Sequence, residues 1–195
     1  MFMNCRTRWV LEVGVGLGFL LTVVLTLGMA RRQLVAARVR ADTIRLHVLA
    51  NSDTVEDQLL KLAVRDAILE ALPATVTQAA TPQQATAALR SALPALRYAA
   101  NRTLLAAHSG QTATVRLETF DFDARDYGTF ALPAGYYTAL RVELGAAQGH
   151  NWFCVLYPAL CVSGATAEYP TAEENALVFG RYEVRFALLD ALRGH

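Results

Sequence analysis

Residues suited to chemistry are scarce in this chain. It carries three cysteines and four histidines in 195 residues, and no CxxC pair or His-rich spacing points to zinc. The triplet Gly14, Gly16 and Gly18 lies inside an apolar run and precedes no soluble helix, so it lacks the loop-to-helix context that cradles a phosphate. Formal net charge is only +1, and no dense Lys or Arg run occurs beyond the flank of that apolar run. The electrostatic footprint of a nucleic-acid binder is therefore missing. No internal repeat is found. Neither a metal nor a cofactor is expected.

What the chain does have is apolar residues, 54% of the total, enough for one core of ordinary single-domain size plus a leader. After Arg6 and Arg8 comes the uncharged run "VGVGLGFLLTVVLTLGMA", Val13 to Ala30. As a helix it would reach ~27 Å, about one hydrocarbon core. Gly28 and Ala30 also stand where a signal peptidase reads small residues, so the run is either a membrane anchor or a cleaved signal. Arg31, Arg32, Arg38 and Arg40 follow it, and positive charge normally stays cytoplasmic. Charge alone leaves the orientation open.

Periodicity sets the order of elements. The stretch "RRQLVAARVRAD" reads as a basic connector or as a continuation of the leader helix. Ile44, Leu46 and Val48 then alternate with Arg45 and His47 as in a strand. Val55, Leu59, Leu62, Ala63, Leu69 and Leu72 recur at helical spacing up to Pro73. Thr81-Pro82-Gln83-Gln84 is a capping-box helix start, and that helix runs toward His108 with a kink or break expected at Pro94.

Beyond it the period changes to two. Val115 and Leu117 give way to Phe120 and Phe122, which predicts a bulge near Thr119. Leu140, Val142 and Leu144, a loop from Gly145 to His150, and "NWFCVLYP" read as a hairpin. The last strand is apolar on both faces, Trp152, Cys154 and Leu156 on one and Phe153, Val155 and Tyr157 on the other, so it should be central or lie under the helices. "SGATAEYPTAEEN" reads as a linker, and "EVRFALLDALR" as a short strand or terminal helix. The fold class is α+β: an N-terminal strand, two to three helices, then an antiparallel sheet of about three to four strands. Residues 1–35 form the signal or anchor, 36–43 a connector, 44–162 the domain, and 163–195 a linker with a short terminal element.

The densest polar stretch is "IRLHVLANSDTVEDQLLKLAVRD". Acid–base catalysis needs two carboxylates on opposite sides of a substrate. Asp53, Glu56 and Asp57 instead share the first turn of a helix, where negative charge complements the dipole. Asp53 with Glu56 resembles a capping box worth about 1 kcal/mol, and Asp57 with Lys61 a helical ion pair. Cys154 with His47 or His150 as base, oriented by Asn51 or Asp53, would make a cysteine hydrolase. No nucleophile elbow accompanies them, and an apolar strand disfavours the Cys154 thiolate. Cys154 and Cys161 either pair, if the domain is exported, or remain buried thiols in a reducing compartment. Pairing across so short a loop is worth roughly 2 to 3 kcal/mol.

Three motifs in order, "IRLHVLANSDTVEDQLLKLAVRDAIL", "YGTFALPAGYYTALRVELG" and "GHNWFCVLYPALC", resemble the stage II sporulation protein R family of endospore-forming bacteria, over roughly Ile44 to Cys161. The resemblance implies a signalling protein and not an enzyme. Such proteins are made in the forespore and exported into the space between two membranes. There they trigger a membrane-embedded aspartic protease of the mother cell, which cleaves a sigma-factor precursor. Export favours the Cys154 to Cys161 pairing, and the arginines after the leader depart from it. The partner surface expected here is His47, Asn51 and Asp53 at the end of the first strand with Asn151 and Trp152, an aromatic anchor beside polar groups; burial of Trp152 in the core is the competing reading. An exported cysteine hydrolase and a passive envelope-binding scaffold are the rival functions.

Overall fold

Alternation of Ile44, Leu46 and Val48 with Arg45 and His47 does produce a strand, β1 (Ile44–Leu49), but all six of its residues are buried. In the computed structural model, which describes residues 5–160 and 169–179, β1 lies inside a four-stranded sheet. The other members are β2 (Ala113–Phe122), β5 (Gly135–Leu144) and β6 (Asn151–Tyr157), and the order is β2-β5-β1-β6. β1 runs parallel to β5 and antiparallel to β6, while β2 is antiparallel to β5. The sheet is thus mixed.

The hairpin read from residues 140–158 does not form, because β1 is inserted between its two arms. A strand that must hide both faces gains most at the centre of a sheet. β1, buried on both sides, takes that place, and β6 lies at an outer position among the described strands instead of at the centre, with both of its faces covered. Trp152, Cys154 and Leu156 join one core and Phe153 and Val155 the other. A register shift beside Ile44 turns Tyr157 to the same core as Leu156.

The first core lies under α2 (Val55–Ala71), α3 (Ala74–Thr77) and α4 (Pro82–Ala106). The face that α2 buries differs from the one expected. Leu60, Val64 and Ile68 are buried, whereas Val55 and Leu59 are 77% and 62% exposed. Its N-cap is Thr54, whose hydroxyl accepts from the Asp57 amide at 3.3 Å, so Asp53 is released for another contact. At the start of α4 the Thr81 hydroxyl accepts from the Gln84 amide at 3.2 Å, as the sequence predicts. Pro94 lies inside α4, which continues through it to Ala106 without a break.

The second core lies on the opposite face of the sheet. It is closed by the last turns of α1 (Cys5–Ala41), by α5 (Ala172–Phe179), and by the short ladder of β3 (Arg125–Asp126) with β4 (Ala131–Leu132). This explains why no bulge occurs at Thr119. β2 pairs with β5 in one unbroken register; Val115 and Leu117 pack on the first core, and Phe120 and Phe122 on the second. The register stays unbroken while the covering layer changes sides.

α1 is one uninterrupted helix of 37 residues. Its apolar portion has the length and hydropathy of a membrane span and is not buried within the protein, yet Val39 is fully buried in the second core. Residues 36–41 therefore continue the leader helix. Beyond it, the Thr43 and Tyr169 hydroxyls meet at 2.8 Å. The stretch read as a linker runs into α5, whose start it contains, and that helix begins with a reciprocal box: the Thr171 amide donates to Glu174 at 3.1 Å, and the Glu174 amide to the Thr171 hydroxyl at 3.2 Å. "EVRFALLDALR" lies outside the described residues.

Two neighbouring leucines test the assignment of faces. Leu60→Ala should cost about 3 kcal/mol, as for a buried leucine, and Leu59→Ala less than about 0.5 kcal/mol. Chemical denaturation of the two variants reads the difference.

Candidate functional site

Where β1 ends, its backbone must turn into α2 beneath the loop that joins β5 to β6, and the polar residues of the opening motif make that junction. The Asn51 side chain accepts from the Ala146 amide at 2.9 Å and donates to Asp57 at 2.9 Å. Its carbonyl accepts from the Gln148 amide at 3.1 Å, and the Ala50 carbonyl from the Gly149 amide at 2.9 Å. Asp57 also accepts from the Ser52 hydroxyl at 2.5 Å and from Gln111 at 2.6 Å. These three side-chain donors, Ser52 first, hold its carboxyl below the usual range. Lys61 does not pair with Asp57. It donates to Gln58 at 2.5 Å and to the His150 carbonyl at 3.0 Å, and partial burial lowers its pKa.

Asp53 accepts at 2.5 Å from both the His150 amide and its Nδ1, which pulls the Asp53 carboxyl down. Gly149 is required for space: a Cβ there would lie 2.2 Å from the Ser52 carbonyl oxygen. The polar cluster is a staple between two loops.

The residues expected to form one partner surface are thus distributed. His47 is only 2% exposed. It stacks on Phe153 at 4.5 Å and touches Phe120 and Phe122, each at 5.7 Å. Burial first, and the Arg141 guanidinium second, push its pKa down to about 4. Asn151 lies toward the ring and favours its charged form, but neither ring nitrogen has a hydrogen bond of good geometry. Trp152 faces the other way, half-buried at the first core with the Arg65 guanidinium 4.9 Å from its ring. Asn51 is half-buried in the staple, so Asp53 and Asn151 are the exposed members. Trp152 is half-buried and packs against the edge of the first core.

Cys154 and His47 do not form a catalytic pair. Cys154 pairs in register with Leu46 and His47 with Phe153, so the thiol and the imidazole project from opposite faces of the sheet. Cys154 is fully buried and disulfide-bonded; Cys161 lies outside the described residues. Among those residues no group of His, Cys, Asp or Glu has the arrangement of a metal site.

Sequence reasoning passed over the second face, where β1 presents Arg45. This guanidinium is fully buried. It sits 3.9 Å from the Phe122 ring centre and 4.9 Å from that of Tyr137, and donates to the Tyr127 hydroxyl at 2.9 Å. The signal was present as two polar residues alternating within an apolar strand, but only the neighbouring phenylalanines of β2 and β6 reveal an aromatic box.

The family described as stage II sporulation protein R matches residues 40–167, and the chain belongs to that family. A relative, "Stage II sporulation protein R" of Bacillus subtilis (strain 168), is 37% identical over 118 residues, 60% of this chain and 53% of the relative. The chain therefore spans about half the length of the curated relative it matches. No solved structure matches.

Two variants probe this region. Gly149→Ala should destabilise the domain by about 2 kcal/mol or more, because the obstructing atom is backbone, read by denaturant midpoint. His47 is neutral when folded, so below pH 6.5 the unfolded chain binds a proton that the folded chain refuses until about pH 4. Between pH 7 and pH 5 the wild type should lose about 2 kcal/mol more stability than His47→Phe.

Proposed function

We propose that the chain is an exported or membrane-tethered sporulation signal that activates a membrane-embedded aspartic protease in the adjacent cell, leading to cleavage of an inactive sigma-factor precursor. The observation that carries the reading is family membership over residues 40–167. The structure adds an apolar helix suited to a signal or anchor, and a polar cluster occupied with holding loops together. In this reading the domain is an activator and not a catalyst. It binds an extracytoplasmic part of the protease and favours its active arrangement, most simply the dimer that brings two catalytic carboxylates together. Binding shifts that equilibrium only as far as the active state is preferred.

Export from the forespore and pairing of Cys154 with Cys161 belong to the same proposal. An oxidising compartment is where a disulfide at Cys154 would persist.

Cleavage of the precursor, followed in a non-sporulating host that carries the protease, tests the reading. Cleavage should appear only when this chain is present in exported form. Precursor left intact in its presence would overturn the proposal. Cys154→Ser should reduce the amount of folded protein while any protein that folds still activates, whereas a cysteine hydrolase would fold normally and lose all activity.

A further inference from the structure

β2 is an outer strand of the sheet and pairs only with β5 among the described residues. The Thr112 carbonyl accepts from the Gly145 amide at 3.0 Å, and bonding alternates along an antiparallel ladder. Thr114, Arg116, Glu118 and Phe120 therefore turn their backbone groups to β5, whereas Ala113, Val115, Leu117, Thr119 and Asp121 turn theirs outward. Asn101 of α4 marks this outer edge: its side chain donates to the Ala113 carbonyl at 3.0 Å and accepts from the Ala113 amide at 2.9 Å. One side-chain amide thus stands in for a neighbouring strand.

Among the described residues, nothing continues that pairing along Val115, Leu117 and Thr119. Sheet edges are ordinarily blunted by a proline, a bulge, a covering element or charge. β2 has ten residues without proline and an unbroken register, so the charged side chains of Arg116 and Glu118 are the safeguard left. Their signs are opposite. A strand of uniform charge repels a copy of itself, and this one does not.

Two identical antiparallel strands are related by a two-fold axis, and among the registers that match outward groups to outward groups, one centred on Leu117 sets these unlike charges opposite each other. Arg116 then faces Glu118 of the second copy, and Glu118 its Arg116, at positions without mutual backbone bonds, where side chains lie closest. Leu117 faces Leu117 and Val115 faces Thr119, each pair exchanging backbone bonds. Thr114 faces Phe120, a ring half-exposed in the single chain. One step of slippage either way sets Arg116 against Arg116 or Glu118 against Glu118, which is unfavourable. Within one chain Arg116 already meets Glu143, and Glu118 meets Arg141 at 3.3 Å, so the second copy extends an alternating row of charge.

We propose that β2 pairs edge to edge with β2 of a second copy, antiparallel and centred on Leu117, to give an isologous dimer with one continuous sheet. Asn101 limits the contact, because it occupies Ala113 and leaves the shared ladder to end at Val115 and Thr119. The use of the dimer rests on the activation reading: a two-fold activator presents each surface twice and so gathers two protease chains.

Sedimentation equilibrium of the full-length chain in density-matched detergent micelles tests the contact, and the wild type should be dimeric at micromolar concentration. Arg116→Glu and Glu118→Arg should each raise the dissociation constant at least about tenfold, since each sets like charges opposite each other twice. An equimolar mixture of the two should regain the dimer, because every such contact then joins unlike charges. Thr119→Pro, at an exposed position whose N–H is turned away from β5, should fold and also weaken the dimer. Near-UV circular dichroism checks the folding of each variant. A monomeric wild type would overturn the proposal, as would a dimer that neither reversal weakens, or a mixture of folded variants that stays monomeric. Precursor cleavage is a separate readout, and exporting both reversals together should restore cleavage that either alone loses. A dimer that responds as described while the precursor stays intact with wild type sinks the activation reading and upholds the β2 contact.

Discussion

Everything in this domain is arranged around the burial of β1 on both sides. A central strand flanked by one parallel and one antiparallel neighbour has its backbone groups satisfied within the sheet, and its side chains then demand two separate layers. The first-core side, Ile44, Leu46 and Val48, is aliphatic, and three helices cover it. The other side presents Arg45, His47 and Leu49, and no run of aliphatic residues could match it. Phenylalanine and tyrosine do so instead, because an aromatic face accepts a guanidinium or an imidazole edge that an aliphatic one would leave unsolvated. The chain recruits the β3–β4 ladder, α5 and the end of α1 to hold those rings in place.

Much of the first layer was legible in the sequence. β1, both long helices, the Thr81 cap and the last strand all followed from period and capping chemistry, which are local. What was not legible depended on pairing at a distance. The loop from Gly145 to His150 looked like a hairpin connection because nothing nearby announces that a strand a hundred residues earlier will enter between its arms. The exposed position of Leu59 has a similar origin: several leucines on α2 offered more than one apolar face, and attachment of Asp57 to Asn51, Ser52 and Gln111 selects among them. Thr171 with Glu174 was a readable helix start that a linker-like composition concealed.

The polar cluster was legible as a cluster, and its role as a staple between loops was not. Asn51 and Asp53 stand together as their shared stretch suggested, but they join loop to loop, Asp53 through His150 from a different motif. His47 was correctly placed between solvent and a second layer, and the second layer won. The missed residue, Arg45, lies two positions from His47 on the same strand. Its character depends on Phe122, Tyr137 and Tyr127, which lie far away in sequence and converge only when β2 and β5 pair.

The unbroken α1 has a mechanical consequence. A flexible tether lets a domain tumble and search a wide volume, whereas a helix that leaves the apolar run and enters the second core acts as a shaft. From Ala30 to Ala41 that shaft rises roughly 16 Å at 1.5 Å per residue, so in the tethered form the sheet stands at a set height above the hydrocarbon, close to the lipid headgroups. Its reach is then measured in a few side chains, and lateral diffusion in the bilayer, with rotation about the helix axis, becomes the means by which the domain presents one flank or another to its neighbours.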